Sequence, residues 1–158
     1  GERAAERADA ASQDATAGTR QTAAGKTACD LVTQEEMAEA TGVPVVKVTS
    51  RENPAFSSCS YEAEDWMKTS GILYYPSLAP VSGSAALAET LQQDLERDQA
   101  PYTTPVAGQG LGDASASYSA TDQTSHFLAV QQGSQRIVVS GPVREALADI
   151  AQLALGRM

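Results

Sequence analysis

Cysteine occurs at two positions in this 158-residue chain, and each opens an element. Cys29 begins Cys29-Asp30-Leu31-Val32-Thr33, which runs directly into a helix start, and Cys59 begins Cys59-Ser60-Tyr61, which reads as the start of a strand. Cysteines beside element ends meet easily in bridging geometry, so the pair predicts a staple between the first helix and a sheet. Such a bridge would add roughly 3–4 kcal/mol by restricting the unfolded chain. The plainer alternative is two unpaired, buried small residues. A bridge would point to an exported protein, because cytosolic thiols are kept reduced. Two cysteines and the one histidine are too few for a zinc site, so no metal is expected.

Residues 1–28 contain no Val, Leu, Ile, Met or aromatic side chain. Nothing there can bury an apolar face and offset the entropy of ordering, so the segment reads as a flexible, Ala-rich N-terminal tether. The chain opens at Gly1 rather than Met, which predicts that a leader has been removed. No stretch approaches the roughly 20 apolar residues of a membrane-spanning helix.

The folded domain is expected over residues 29–158. Thr33 with Glu36 forms a capping box, Val32 and Met37 can staple across it, and Gly42 is placed to end the helix. Val43, Val45, Val46 and Val48 predict a first strand, with Pro44 placing its start at an edge. Cys59, Tyr61 and Ala63 alternate with Ser60, Glu62 and Glu64 in a second, half-buried strand, and Ile72 to Tyr75 form a third. Leu87, Leu91 and Leu95 give a second helix over about 83–98 its apolar face. Residues 99–113 read as loop. Strands follow near 114–120, 125–131 and 135–140, with Gly133-Ser134 as the turn of a hairpin. Pro142 opens a final helix whose stripe is Val143, Ala146, Leu147, Ile150 and Ala154. The expectation is an α+β fold with an antiparallel six-stranded sheet and packed helices, in the order α-β-β-β-α-β-β-β-α.

Charge narrows the partners. The four acids and four bases of residues 1–27 cancel, so the net charge of −9 falls on residues 28–158. Such a domain repels phosphate backbones and anionic membrane surfaces, and nucleic-acid binding is not expected. Catalytic patterns are sparse. Gly25-Lys26-Thr27 has Arg20 where a phosphate-binding loop needs its first glycine. Gly108-Gln109-Gly110-Leu111-Gly112-Asp113 lacks dinucleotide spacing; a tight loop is the ordinary reading, and a ligand or partner loop at Gly110, Gly112 and Asp113 the functional one. Glu62 and Glu64 would share a strand face, as a solvated surface or, less ordinarily, a hydrolytic carboxylate pair. Trp66 follows them, at the rim of the core or as an exposed partner anchor. His126 has no nucleophile motif around it. No cofactor is expected.

Cys29-Asp30-Leu31-Val32-Thr33 with Glu36, Thr41-Gly42-Val43-Pro44-Val45, Cys59-Ser60-Tyr61 and Gly110-Leu111-Gly112-Asp113-Ala114 occur in this order. The set resembles a family of small exported bacterial lipoproteins of uncharacterised function, abundant in actinobacteria, with a Cys-x-Leu-Leu-Thr start, a later Cys-x-Tyr and a Gly-Leu-Gly-Asp-Ala loop. The resemblance implies that Cys29 and Cys59 are bridged and that residues 1–28 are a tether. It implies membrane attachment through a lipidated N-terminal cysteine, which is not among these residues, on the outer face of the cytoplasmic membrane. A related mycobacterial-type group adopts an α/β/α sandwich with an antiparallel sheet. The resemblance carries no catalytic residues. The expected function is a non-enzymatic binding or accessory module for another envelope protein, with Glu62, Glu64 and Trp66 as a partner surface. One alternative is a carrier of a small apolar ligand or lipid held between the sheet and the Leu87-Leu91-Leu95 helix. A second is a hydrolase using the acidic face or His126.

Overall fold

A computed structural model describes residues 26–99 and 101–158. The predicted tether lies outside the described residues up to position 25. Thr27 and Ala28, assigned to it from the sequence, belong to the packed domain. Ala28 is fully buried and donates its N–H to Ser57 Oγ at 2.8 Å. Asp30 Oδ2 accepts from Thr27 N at 2.8 Å, closing a short 3-10 turn over Ala28–Asp30.

The first helix, α1 (Gln34–Thr41), forms as its caps dictate. Thr33 accepts from Glu36 N, Glu36 accepts from Thr33 N, and Gly42 ends the helix at φ 73°. The sheet is antiparallel, but it has seven strands rather than six, in the order β1-β2-β3-β7-β6-β5-β4. The added strand, β4 (Val106–Ala107), lies in the segment read as loop and pairs with β5 (Ala114–Ser119). Two residues between Pro105 and Gly108 carry no periodicity, so nothing local reveals it. β1 runs over Lys47–Glu52, a few residues beyond the valine cluster that predicted it. Val43 and Val45 are half-buried packing residues ahead of the ladder, and Val45 O accepts from Gln34 Nε2. Pairing with β2 (Ser57–Glu62) and an exposed edge position decide the strand, which accordingly carries Lys47 and Arg51.

β1, β2 and β3 (Ser70–Tyr75) form one meander; β5, β6 (His126–Gln132) and β7 (Gln135–Gly141) form another. They join where β3 pairs with β7. The β6–β7 turn is Gly133-Ser134, with Gly133 at φ 60°. Cross-strand partners share a face, so the register sorts the core. Cys59, Tyr61, Ile72, Ile137, Val139 and Val130 face α1 and α3 (Leu147–Leu155). Ala114, Ala116, Ala129 and Val138 face α2 (Ser84–Asp98), whose Leu87 and Leu91 sit against these small residues. The result is three layers, helices over both faces of one sheet.

Cys29 and Cys59 are bridged, their Cα atoms 5.0 Å apart. The bridge ties the 3-10 turn before α1 to the centre of β2. Tyr61 reinforces it by donating its hydroxyl to Val32 O at 2.5 Å, and burial pushes its phenol pKa upward. The C-terminus is fastened to the same region. Arg157 grips both carboxylate oxygens of Glu36, at 2.5 and 2.7 Å, and donates to Leu31 O. Lys26 donates to Arg157 O. A bridged pair is the mark of an extracytoplasmic protein. Among the described residues no helix is long and apolar enough to cross a membrane.

Candidate functional site

β5 reads Ala-Ser-Ala-Ser-Tyr-Ser, and the alternation sends its two alanines toward α2 and its three serines to the opposite face. Register then sets Ser119 across from His126 and Ser117 across from Leu128. On this face α3 lies over β6 and β7. The sheet beyond it is left as an open groove of about 360 Å³, walled by Leu147 and Ala148 on one side and by Val106, Thr103 and Thr104 on the other.

Inside the groove Ser119 Oγ lies 2.7 Å from His126 Nδ1, with both residues buried. Arg144, in the 3-10 turn Arg144–Ala146 between β7 and α3, places Nη2 3.5 Å from the same nitrogen. Its Nη2 also donates to Gln123 Oε1 at 2.9 Å. A guanidinium has no acceptor, so the tautomer that suits Arg144 Nη2 has its lone pair on Nδ1, which then also accepts the hydrogen bond of the Ser119 hydroxyl. The imidazole proton therefore sits on Nε2. Gln123, which orients Arg144, occupies the left-handed region at φ 64°, uncommon for a residue with a side chain.

The wall is fixed from two sides. Thr103 N donates to Ser119 O, and Ser119 N donates to Thr103 Oγ1. On the α2 face of the sheet, Tyr118 stacks on Phe127 with centroids 4.8 Å apart, and Tyr102 meets both edge-on. Burial pushes the Tyr118 phenol up to about 12, so it stays protonated within this apolar cluster.

Chemically, a serine beside a histidine invites comparison with acyl transfer. In the Ser-His-Asp arrangement a carboxylate on the second imidazole nitrogen sets the tautomer and stabilises the imidazolium. Among the described residues His126 meets no carboxylate within hydrogen-bond distance; its neighbours are Ser119 and the cationic Arg144.

Residues singled out from the sequence are scattered elsewhere. Glu62 closes β2 and accepts from Thr49 Oγ1 at 2.6 Å, whereas Glu64 lies in the bend beyond, so the strand does not carry them as a pair. Trp66 is 79% exposed, on a 3-10 turn whose Asp65 carboxylate accepts from Met67 N. It is a projection and not a rim residue. In the glycine loop, Asp113 Oδ2 accepts from Gly133 N and Asp113 N donates to Gln131 O, clasping the loop to the β6–β7 hairpin. Gly110 is open to solvent at φ 83°, whereas Gly112 is pressed against Val130 and Gln131. None of the residues expected to form a ligand loop or partner surface lines the groove; His126, named only in the hydrolase alternative, does, together with Ser119 and Arg144, which the sequence did not single out. The available signal was the serine alternation of β5 facing a histidine across a short loop. No protein-family model, no curated protein and no solved structure matches this chain.

Proposed function

We propose that this chain is a non-enzymatic binding module of the bacterial cell envelope, with the groove between α3 and β4–β5 as its ligand site. One observation carries this reading: Ser119, His126 and Arg144 converge in an open groove, and among the described residues no carboxylate lies within hydrogen-bond distance of His126. The volume sits at the low end of the range for small-molecule sites. The disulfide and the resemblance to exported lipoproteins support the envelope as its place. Burial of Leu87 and Leu91 fills the space that a lipid carrier would need under α2. The separated Glu62 and Glu64 give little support to a carboxylate-pair hydrolase.

A protein partner in the envelope is the second contact of this reading, favoured by the exposure of Trp66 on its fixed turn. Rigid, exposed tryptophans serve as anchors at interfaces.

The test combines turnover and binding. Protein made by an oxidising route is incubated with chromogenic esters, amides and glycosides, and native mass spectrometry follows small molecules retained by the folded chain. The expected result is turnover at background, unchanged in Ser119→Ala, with retained small molecules. Hydrolysis that disappears in Ser119→Ala or His126→Ala would replace binding with catalysis.

A further inference from the structure

The groove has a chemical bias that runs against the rest of the molecule. Residues 28–158 carry the whole net charge of −9, yet no Asp or Glu lines the groove. Its polar side chains are Arg144, His126 and the hydroxyls of Thr103, Thr104, Ser117 and Ser119. Two of these are already committed on the ring side: Ser119 to His126 Nδ1, and Thr103 to Ser119 N. With Nδ1 occupied, the ring nitrogen left for a ligand is the proton-bearing Nε2, a donor. Arg144 has further N–H groups beyond those on Gln123 and His126, and Ser117 and Thr104 are exposed. Beside these donors lie Val106, Leu128, Leu147 and Ala148, all short aliphatic side chains.

Resting on the reading of the groove as a ligand site, we infer that it takes a carboxylate carried on a short apolar body. Arg144 forms the charged contact, His126 Nε2 and a hydroxyl supply neutral donors, and the aliphatic wall receives the body. A planar guanidinium fork matches a carboxylate. One cation balances one negative charge, whereas a phosphate dianion would enter a domain of charge −9 with half its charge unmatched. The same chemistry is presented by a free small carboxylic acid and by the C-terminus of a peptide.

His126 is the chain's sole histidine, so its ring gives one NMR signal that reports on the groove. The full oxidised chain, labelled at histidine, is titrated with N-acetylvaline, N-acetylvaline amide, and the tripeptide N-acetyl-Gly-Gly-Val with its C-terminus free or amidated. The free acids move the His126 signal saturably, and the amides bind at least about tenfold more weakly. Arg144→Gln weakens the acids about tenfold to a hundredfold, the loss expected for a charged hydrogen bond. If Arg144→Gln perturbs the fold, Ser117→Phe, which fills the groove from an exposed strand position, abolishes the shift instead. A tripeptide binding as tightly as the single residue identifies a chain end as the source, and one binding far more weakly identifies a free acid. Acid and amide binding equally would overturn the carboxylate assignment while leaving the groove a ligand site. A His126 signal unmoved by the acids, the amides, n-butanol and n-butylamine alike would overturn the ligand site itself.

Discussion

Gly112 and Glu36 show how single side chains hold the domain at its seams. At Gly112 φ is +57°, and a Cβ would lie 2.7 Å from Val130 Cγ1 and 2.8 Å from Gln131 O. Gly112→Ala should therefore lower stability by roughly 2–4 kcal/mol, measured by denaturant unfolding, because both the backbone conformation and the space forbid it. Glu36 caps α1 and receives Arg157, whose hydrogen bonds hold its carboxyl at about 2, below the usual carboxylate range. A folded pKa below the unfolded one contributes stability that is complete above about pH 4.5 and is lost as pH falls toward 2. Glu36→Gln keeps the cap but removes the charge. It should cost about 1 kcal/mol at pH 7, the partly exposed pair being screened by solvent, and the difference from wild type should vanish by about pH 2. The Thr33–Glu36 cap and Gly42 were legible in the sequence because capping acts over three or four residues. The Ser119–His126 contact was not: it depends on which residues face each other across β5 and β6, and no single strand's pattern states that.

Elements were legible where they carry a period. The second helix was expected at about 83–98 and runs over Ser84–Asp98, because Leu87, Leu91 and Leu95 mark one face. β4 was missed for want of length, and β1 was misplaced because valine favours packing as readily as pairing. The α2–sheet contact depends on small residues beneath the leucines. Ala116 is fully buried opposite α2, so Ala116→Leu should cost roughly 1–3 kcal/mol by overpacking, read from thermal or denaturant unfolding. Ser117 is the next residue on the same strand but faces the groove. Ser117→Ala should leave stability within about 0.5 kcal/mol of wild type, since surface positions tolerate such changes. The contrast checks the face assignment directly: equal losses at the two positions would contradict it.

For the described domain as a whole, one covalent link ties the turn at Cys29 to β2 and one ion pair ties Arg157 near the C-terminus to Glu36 of α1. Cys29 and Cys59 close a loop with a sequence separation of 30, and replacing both with Ala should lower stability by about 3–4 kcal/mol. Reductant should lower the wild-type melting temperature and leave the double variant unmoved. The pairing was legible from two cysteines placed beside a helix start and a strand, although Cys59 lies within β2 (Ser57–Glu62) rather than at its start. The groove was not, since it exists where a seven-stranded sheet outruns the helix that covers it, a property of the assembled layers. This uncovered stretch of sheet is the proposed binding site. The most direct measurement is a two-dimensional amide spectrum of the 15N-labelled, oxidised chain, recorded across a library of small acidic, basic and neutral fragments. Shifts concentrated at Thr103, Thr104, Ser117, His126 and Arg144 are the predicted result. Shifts concentrated around Trp66 or under Leu87 and Leu91, with the groove silent, would contradict it.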